Sequence, residues 1–323
     1  MSYEEDLQGD GEDQMVWQEK PDTGWQEGER DSLLVYSCKS CGGEIIGDKD
    51  MGATSCPYCG NAVVVPSKFT GELRPDYIIP FKLDKEAAKA GLRRHLKGKK
   101  LLPRVFTNEN HIDEIKGIYV PFWLFDAEAD AHARYHATST NSWTEPQYTC
   151  TETKHFSVTR HGRVKFEHVA IDGSSKMEDT MMESIEPFDF QDAVPFTTGY
   201  LAGFMADCYD VTADDSIGRA NERIKNSTKR IMNGSVGGYS SVIPENVNIT
   251  LYNSKATYAL YPVWLLNTTW KGDVYTFVMN GQTGKFVGDL PVDNSAAGRM
   301  FGSLAAGVAA AVFGISYLLW MIM

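Results

Sequence analysis

Positive charge is in short supply in this chain. Lys and Arg number 31 against 43 Asp and Glu, a formal net charge of -12 over 323 residues. A surface so charged repels phosphate backbones, which excludes general nucleic-acid binding and leaves only a local basic patch able to do it. Residues 1–30 lack the positively charged start and following apolar run of a cleaved secretory leader, so the body is expected in the cytosol. The same stretch has almost no aliphatic side chains and is rich in Asp, Glu, Gln and Gly. Burial cannot offset the entropy of ordering it, and it reads as a flexible acidic tail. Its Trp17 and Trp25 either anchor on a partner or pack on the chain's own body. Cysteine is sparing too, at six residues. The hydrophobic fraction of 42% is nevertheless ample for a buried core of one large or two modest domains.

Four of the six cysteines form two matched motifs. Cys38-Lys-Ser-Cys41-Gly42-Gly43 and Cys56-Pro-Tyr-Cys59-Gly60-Asn61 are separated by 14 residues, the pattern of a zinc ribbon over 31–66. A Cys-x-x-Cys turn lets two thiolates converge on one ion, and the glycine after each second cysteine suits the positive φ that follows. With Cys38, Cys41, Cys56 and Cys59 as ligands the shell is closed to water, so one Zn2+ in a structural role is expected rather than a catalytic one. Two disulfides or a rubredoxin-like iron are the alternatives the same spacing admits. Cys150 and Cys208 lie outside the motifs and read as buried thiols. Between Tyr36 and Lys68, Lys39, Lys49 and Lys68 offset Glu44, Asp48 and Asp50, leaving no electrostatic footprint for phosphates.

The segment 77–290 alternates strand and helix patterns and contains a weak internal repeat, with copies at about 77–170 and 192–290. In the first copy Ile79-Pro80-Phe81 precedes a helix capped by Asp84 and closed at Gly98, and Tyr119 to Phe125 follows. In the second, Val194-Pro195-Phe196 leads to a helix opening near Asp214 or Asp215, then to Tyr261 to Leu266. Both copies end in Pro-x-Trp-Leu. The expected fold is α+β, each copy a small antiparallel sheet carrying a helix. Asn280-Gly281 predicts a hairpin before Lys285-Phe286-Val287, and a second is predicted around His161-Gly162.

Three stretches invite a chemical reading. Asp126, Glu128, Asp130, His132, Arg134 and His136 alternate with Ala127, Ala129, Ala131, Ala133 and Tyr135, which puts every ionisable group on one strand face. His132 and His136 can be read as sharing an ion, although such a row is more commonly a solvated sheet face; His155, His161 and His168 read as solvent-facing as well. Arg93, Arg94, Lys97, Lys99, Lys100 and Arg104 form a dense basic stretch, partly cations at a helix C-terminus and partly available to anionic lipid headgroups. Gly234 to Gly238 is glycine-rich but lacks the lysine of a phosphate-binding loop. No nucleophile, base or acid pair is assigned, and no enzymatic activity is expected.

After a polar linker at 291–299, residues 300–323 carry no charge. As a helix these 24 residues measure about 36 Å, enough to cross a hydrocarbon core of about 30 Å. The expectation is a single tail-anchoring transmembrane helix, with Lys285 and Arg299 holding the body on the cytoplasmic side of the cell membrane and Tyr317 and Trp320 at the far interface. Ser303, Gly307 and Ala311 form a small-residue row suited to homo-oligomerisation or a transmembrane partner.

The two cysteine motifs, Tyr-x-Pro-Phe-Trp-Leu at 119–124, and Tyr261-Pro262-Val263-Trp264-Leu265-Leu266 followed by Met279-Asn280-Gly281-Gln282-Thr283-Gly284-Lys285 together resemble one bacterial family. These are membrane-anchored zinc-ribbon proteins, often labelled as having a TFIIB-type zinc ribbon, some encoded beside SPFH-domain and phage-shock-type envelope-stress proteins. The resemblance covers Tyr36 to about Leu290 plus the tail helix. It implies a membrane-tethered adaptor that presents protein-binding surfaces in the cytosol to an SPFH-type partner. The alternative is a ribbon-mediated nucleic-acid or RNA-polymerase binder.

Overall fold

The computed structural model describes residues 17–19, 24–26, 28–48, 55–61, 64–68 and 73–322. Twelve strands among them join one sheet: β1 (Gln18–Glu19), β2 (Leu33–Ser37), β3 (Glu44–Asp48), β4 (Val64–Lys68), β5 (Tyr77–Ile78), β6 (Lys116–Glu145), β7 (Tyr148–Asp172), β8 (Val194–Pro195), β9 (Met205–Asp207), β10 (Ser241–Trp270), β11 (Asp273–Asn280) and β12 (Phe286–Gly288). The helices are α1 (Lys85–Leu96), α2 (Glu109–Ile112), α3 (Asp179–Ser184), α4 (Ala213–Gly234) and α5 (Asn294–Ile322). The main path runs β12-β11-β10-β6-β9-β3-β2-β4, with β7 on β6, and with β1 and β5 on β10. The mixed α+β class is as expected, but the sheet is continuous instead of two small ones. The reason is that β6 and β10 pair with each other from Lys116↔Leu265 to Thr138↔Ser241, fusing what the sequence separates.

The period-two row of β6 explains how the sheet meets α4. Ala127, Ala129, Ala131, Ala133, Tyr135 and Ala137 are buried, while the intervening ionisable residues are not. The alanines let α4 approach closely with Ala213, Ser216, Ala220, Ile224, Thr228 and Met232. Tyr135 Oη ends the contact by donating to Asn233 Oδ1 at 3.0 Å. Gly162 lies in the middle of β7, below Met232, so the hairpin predicted at His161-Gly162 is not there; β6 turns into β7 between Glu145 and Tyr148. The hairpin after Asn280 is present, joining β11 to β12. Thr212, not an aspartate, caps α4, and Asp215 completes its capping box from the third helical position. Asp84 caps α1 as predicted, its carboxylate accepting from the Ala87 amide at 2.8 Å.

Two prolines sit inside the central strands, where a missing N–H normally disrupts a ladder. Pro121 and Pro262 escape that cost by position. Both their carbonyls accept from a glycine amide, Gly173 and Gly281 respectively, at 2.8 Å. A strand residue's N and O face the same side. The absent N–H of Pro121 therefore points to the changeover between β9, which pairs with Ile118 and Tyr119, and β7, which pairs from Phe122 onward. That of Pro262 points to the changeover between β5, on Ala259 and Leu260, and β11, from Val263. The tryptophan two residues later donates to a backbone carbonyl in each case, Trp123 to Val211 at 2.9 Å and Trp264 to Leu83 at 3.0 Å.

Of the acidic N-terminal segment, residues 1–16 lie outside the described residues. From Trp17 the chain is bound to the body: the Trp17 ring meets Phe125 edge-on at 4.9 Å, β1 runs parallel to Lys255–Ala256, and Trp25 meets Phe196 at 5.9 Å. The expectation of a free tail to residue 30 thus fails, because the two tryptophans supply the burial that the other residues cannot. At the other end α5 begins at Asn294, inside the predicted linker, with Asp293 Oδ1 accepting from the Ser295 amide at 2.9 Å. The helix is long and apolar enough to cross a membrane over Asn294–Leu318, and none of that span is buried against the body.

The close packing behind Pro262 is a test of this arrangement. A Cβ at Gly281 would lie 2.7 Å from two ring carbons of Phe81 and 2.9 Å from Pro262 Cβ. Gly281→Ala should destabilise the body by about 1–3 kcal/mol, read as a lowered urea midpoint of the detergent-solubilised protein.

Candidate metal centre

The two cysteine motifs fold as near-identical knuckles. Cys38 N donates to Gly43 O at 2.9 Å and Gly42 N to Cys38 O at 2.8 Å; in the second, Cys56 N donates to Asn61 O at 2.6 Å and Gly60 N to Cys56 O at 3.0 Å. Gly42 and Gly60 take positive φ, 71° and 74°, as the turn requires. The knuckles face each other. Cys38 Sγ lies 3.5 Å from Cys59 Sγ, Cys41 Sγ lies 3.7 Å from Cys56 Sγ, and all four sulfurs are within 4.8 Å of one another. A disulfide needs about 2.05 Å, whereas a tetrahedral thiolate site with bonds of about 2.3 Å holds its sulfurs about 3.8 Å apart. All four are free thiols, so the geometry suits one metal ion and not two disulfides.

Electrostatics around the sulfurs also suit a cation. Burial raises the Cys38 thiol, but the amides of Cys41 and Ser40 aimed at its sulfur outweigh this and bring it down to about 7. Burial wins at Cys41 and Cys56, whose thiols are pushed up. Lys116, at the start of β6, donates to Ser55 O at 2.6 Å and to Ser55 Oγ, and its ammonium is depressed by burial while Cys56 and Cys59 pull it back up. A half-buried cation beside four thiolates offsets part of the charge a divalent ion leaves.

The knuckles are built into the sheet. β3 pairs with β9 through Ile45↔Asp207 and Ile46↔Ala206, and Cys38 and Cys56 share a core with Ile45, Ile79, Ile118 and Val120. Asn267 of β10 donates its side-chain amide to Pro57 O at 2.7 Å and to Tyr58 O. Beneath the second knuckle the Tyr58 ring reaches a fully buried polar pocket holding Ser174 and Asp207. Burial pushes the Asp207 carboxyl up to about 7, although Ser174 and Tyr58 face it and pull the other way. Neither the Tyr58 hydroxyl nor Asp207 Oδ2 is in hydrogen-bond geometry with a partner. Lys116, Asn267 and Asp207 carry no sequence signal of this role; only Tyr58, inside a motif, was in view.

The other candidates are distributed as follows. His132 and His136 are not brought together. Four residues along a strand span about 13 Å, and each instead meets a histidine on β7: the His132 and His161 rings stack at 4.0 Å, and His136 Nε2 lies 3.1 Å from His155 Nδ1. His155 and His161 are exposed as expected, while His168 is half-buried and stacks on Phe190 at 3.6 Å. Cys208 is buried as expected, but Cys150 is only half-buried, on the β7 side of a ribbon that leaves the sheet. Arg93, Arg94, Lys97, Lys99, Lys100 and Arg104 are exposed. Gly234 ends α4 and the residues after it form a loop, as predicted.

Comparison with known proteins places the chain in a family. Over 324 aligned residues it is 33% identical to the uncharacterized protein YdjG of Bacillus subtilis (strain 168), covering 85% of this chain and 95% of that protein, and it belongs to that protein's family. No protein-family model matches the chain. No solved structure matches it.

The pocket under Tyr58 gives the protein a pH signature. Because the folded-state pKa of Asp207 stands above the ordinary 3.8, the folded chain holds this proton more tightly than the unfolded one. The stability this lends is complete below about pH 4 and is lost as pH rises toward 7. Asp207→Asn should flatten the decline between pH 5 and 7 by on the order of 2 kcal/mol, measured as the change in unfolding free energy by urea titration at the two pH values.

Proposed function

We propose that this protein is a zinc-bearing adaptor held at the cytoplasmic face of the cell membrane, where its metal braces a protein-docking body. The observation that carries the reading is where the apolar helix is rooted. Asp293 N donates to Leu101 O at 2.8 Å, so α5 leaves the body beside Lys97, Lys99, Lys100 and Arg104, with Arg299 in its own first turns. Cations gathered at one end of an exposed apolar helix favour the cytoplasmic, anionic side.

Zinc is the ion that fits four thiolates, since a closed tetrahedral sulfur shell suits its softness and leaves no position for an activated water. That supports a bracing role and no catalysis. The repeat supports a scaffold of two related halves: an offset of 141 residues carries Pro121 onto Pro262 and Trp123 onto Trp264, together with their hydrogen bonds. In this reading β5 corresponds to β9, and Val194-Pro195, which echoes Ile79-Pro80 in sequence, is instead the strand added beside β5. For docking, the part of β6 and β7 beyond Thr138 runs past the end of β10 as a two-stranded ribbon and exposes Trp143 and Tyr148. The family resemblance makes an SPFH-domain protein the expected partner. The small-residue row at Ser303, Gly307 and Ala311 lies on the exposed helix and is available for self-association.

Two measurements test the reading. One zinc per chain should survive gel filtration in citrate, and Cys56→Ser should release it and open the remaining three motif thiols to alkylation. The full-length protein in detergent should retain a membrane protein partner that Trp143→Ala/Tyr148→Ala loses at least tenfold. Retention of DNA or RNA at physiological salt without any protein partner would instead establish the nucleic-acid reading.

A further inference from the structure

We propose a second metal site on the open face of the sheet, made by Asp130, His132 and His161, that takes an exchangeable divalent transition ion of the zinc type. It goes beyond the adaptor reading and does not depend on it. Three potential ligand atoms from these residues lie within 4.8 Å of one another. The Nε2 atoms of His161 and His132 stand 2.9 and 3.5 Å from the same oxygen, Asp130 Oδ1. A tetrahedral ion bonded at about 2.1 Å holds its ligands about 3.4 Å apart, so a small swing of the two rings seats it.

The strand framework sets this geometry. His132 and His161 are directly opposite in the β6–β7 register, and Asp130 precedes His132 by one pleat, facing the same side. The opposite face of these positions is fixed by the alanine row beneath α4, so the backbone under the ligands is rigid. Asp130 is further held by Arg163, whose Nε donates to the other carboxylate oxygen, Oδ2, at 3.1 Å. This orients Oδ1 toward the histidines as an outer-shell partner does in metal sites. The two histidine side chains are 61% and 54% exposed, so an ion enters from solvent and a coordination position stays open to water or to a partner's ligand. Two imidazoles and one carboxylate favour zinc, nickel or copper over magnesium or calcium. Occupancy must fall in acid, because both rings bind only when unprotonated.

The test uses the full-length protein in detergent with zinc already in the cysteine site, titrated with Co2+. We expect one further Co2+ per chain, seen as weak d–d absorption without sulfur charge-transfer. Asp130→Asn and His161→Ala should each weaken it by at least the 10–100-fold that even outer-shell changes typically cost. His136→Ala, which touches only the neighbouring histidine pair, should leave it intact. All three side chains are on the surface, and circular dichroism confirms that the variants fold. The proposal is overturned if the wild type takes up no saturable Co2+, or if Asp130→Asn and His161→Ala bind as the wild type does, or if His136→Ala abolishes binding equally. Sulfur charge-transfer during the titration would mark exchange at the cysteines, a failure of the zinc assignment there and not of this site.

Discussion

The antiparallel pairing of β6 with β10 is the constraint on which the rest depends. Because the two strands stay in contact over more than twenty residues, each edge they leave free must be filled by something else, and each filling element carries a function. β7 brings the second row of histidines, β9 brings the strand on which the cysteine knuckles are hung, and β11 with β12 closes the side that α1 covers. Ridged packing of α4 on a floor of alanines then settles which face of the sheet is dry. The exposed face is polar by consequence, and the ionisable row of β6 is its product.

Local chemistry was legible in the sequence and long-range pairing was not. The knuckles, with their glycines and spacing, are determined within six residues each, and the fold reproduces them. The alternation along β6 was equally readable, since period two survives whatever the strand pairs with. Which histidine would meet which was not, because partners across a ladder are set by register, and register between β6 and β7 follows from a turn at 146–147 that has no Gly or Asn to announce it. His161-Gly162 misled for the complementary reason: a glycine there answers to a helix passing overhead instead of to a change of direction. The continuous sheet was hidden by strand lengths of 30, 25 and 30 residues, several times the usual five or six.

Anchoring of the knuckles shows how a small metal site becomes part of a large body. Lys116 and Asn267 sit on the two central strands and grip the second knuckle by its backbone, while Tyr58 descends between them to Asp207. Loss of the ion would therefore be felt at the centre of the sheet and not only in a peripheral loop. The same contacts tie the protonation of a buried carboxyl to the seating of the knuckle, although the two groups lie on segments about 150 residues apart in the chain.

The start of α5 at Asn294 has a mechanical consequence. Its 29 residues make a rod of about 44 Å, some 14 Å longer than a hydrocarbon slab. If the rod crosses a bilayer as proposed, the excess rises through the headgroups as rigid helix, and the hydrogen bond from Asp293 to Leu101 joins it to the body without slack. The body would then stand at a set height and lean when the rod leans, so that a thicker or thinner bilayer would re-aim the docking ribbon instead of merely stretching a tether.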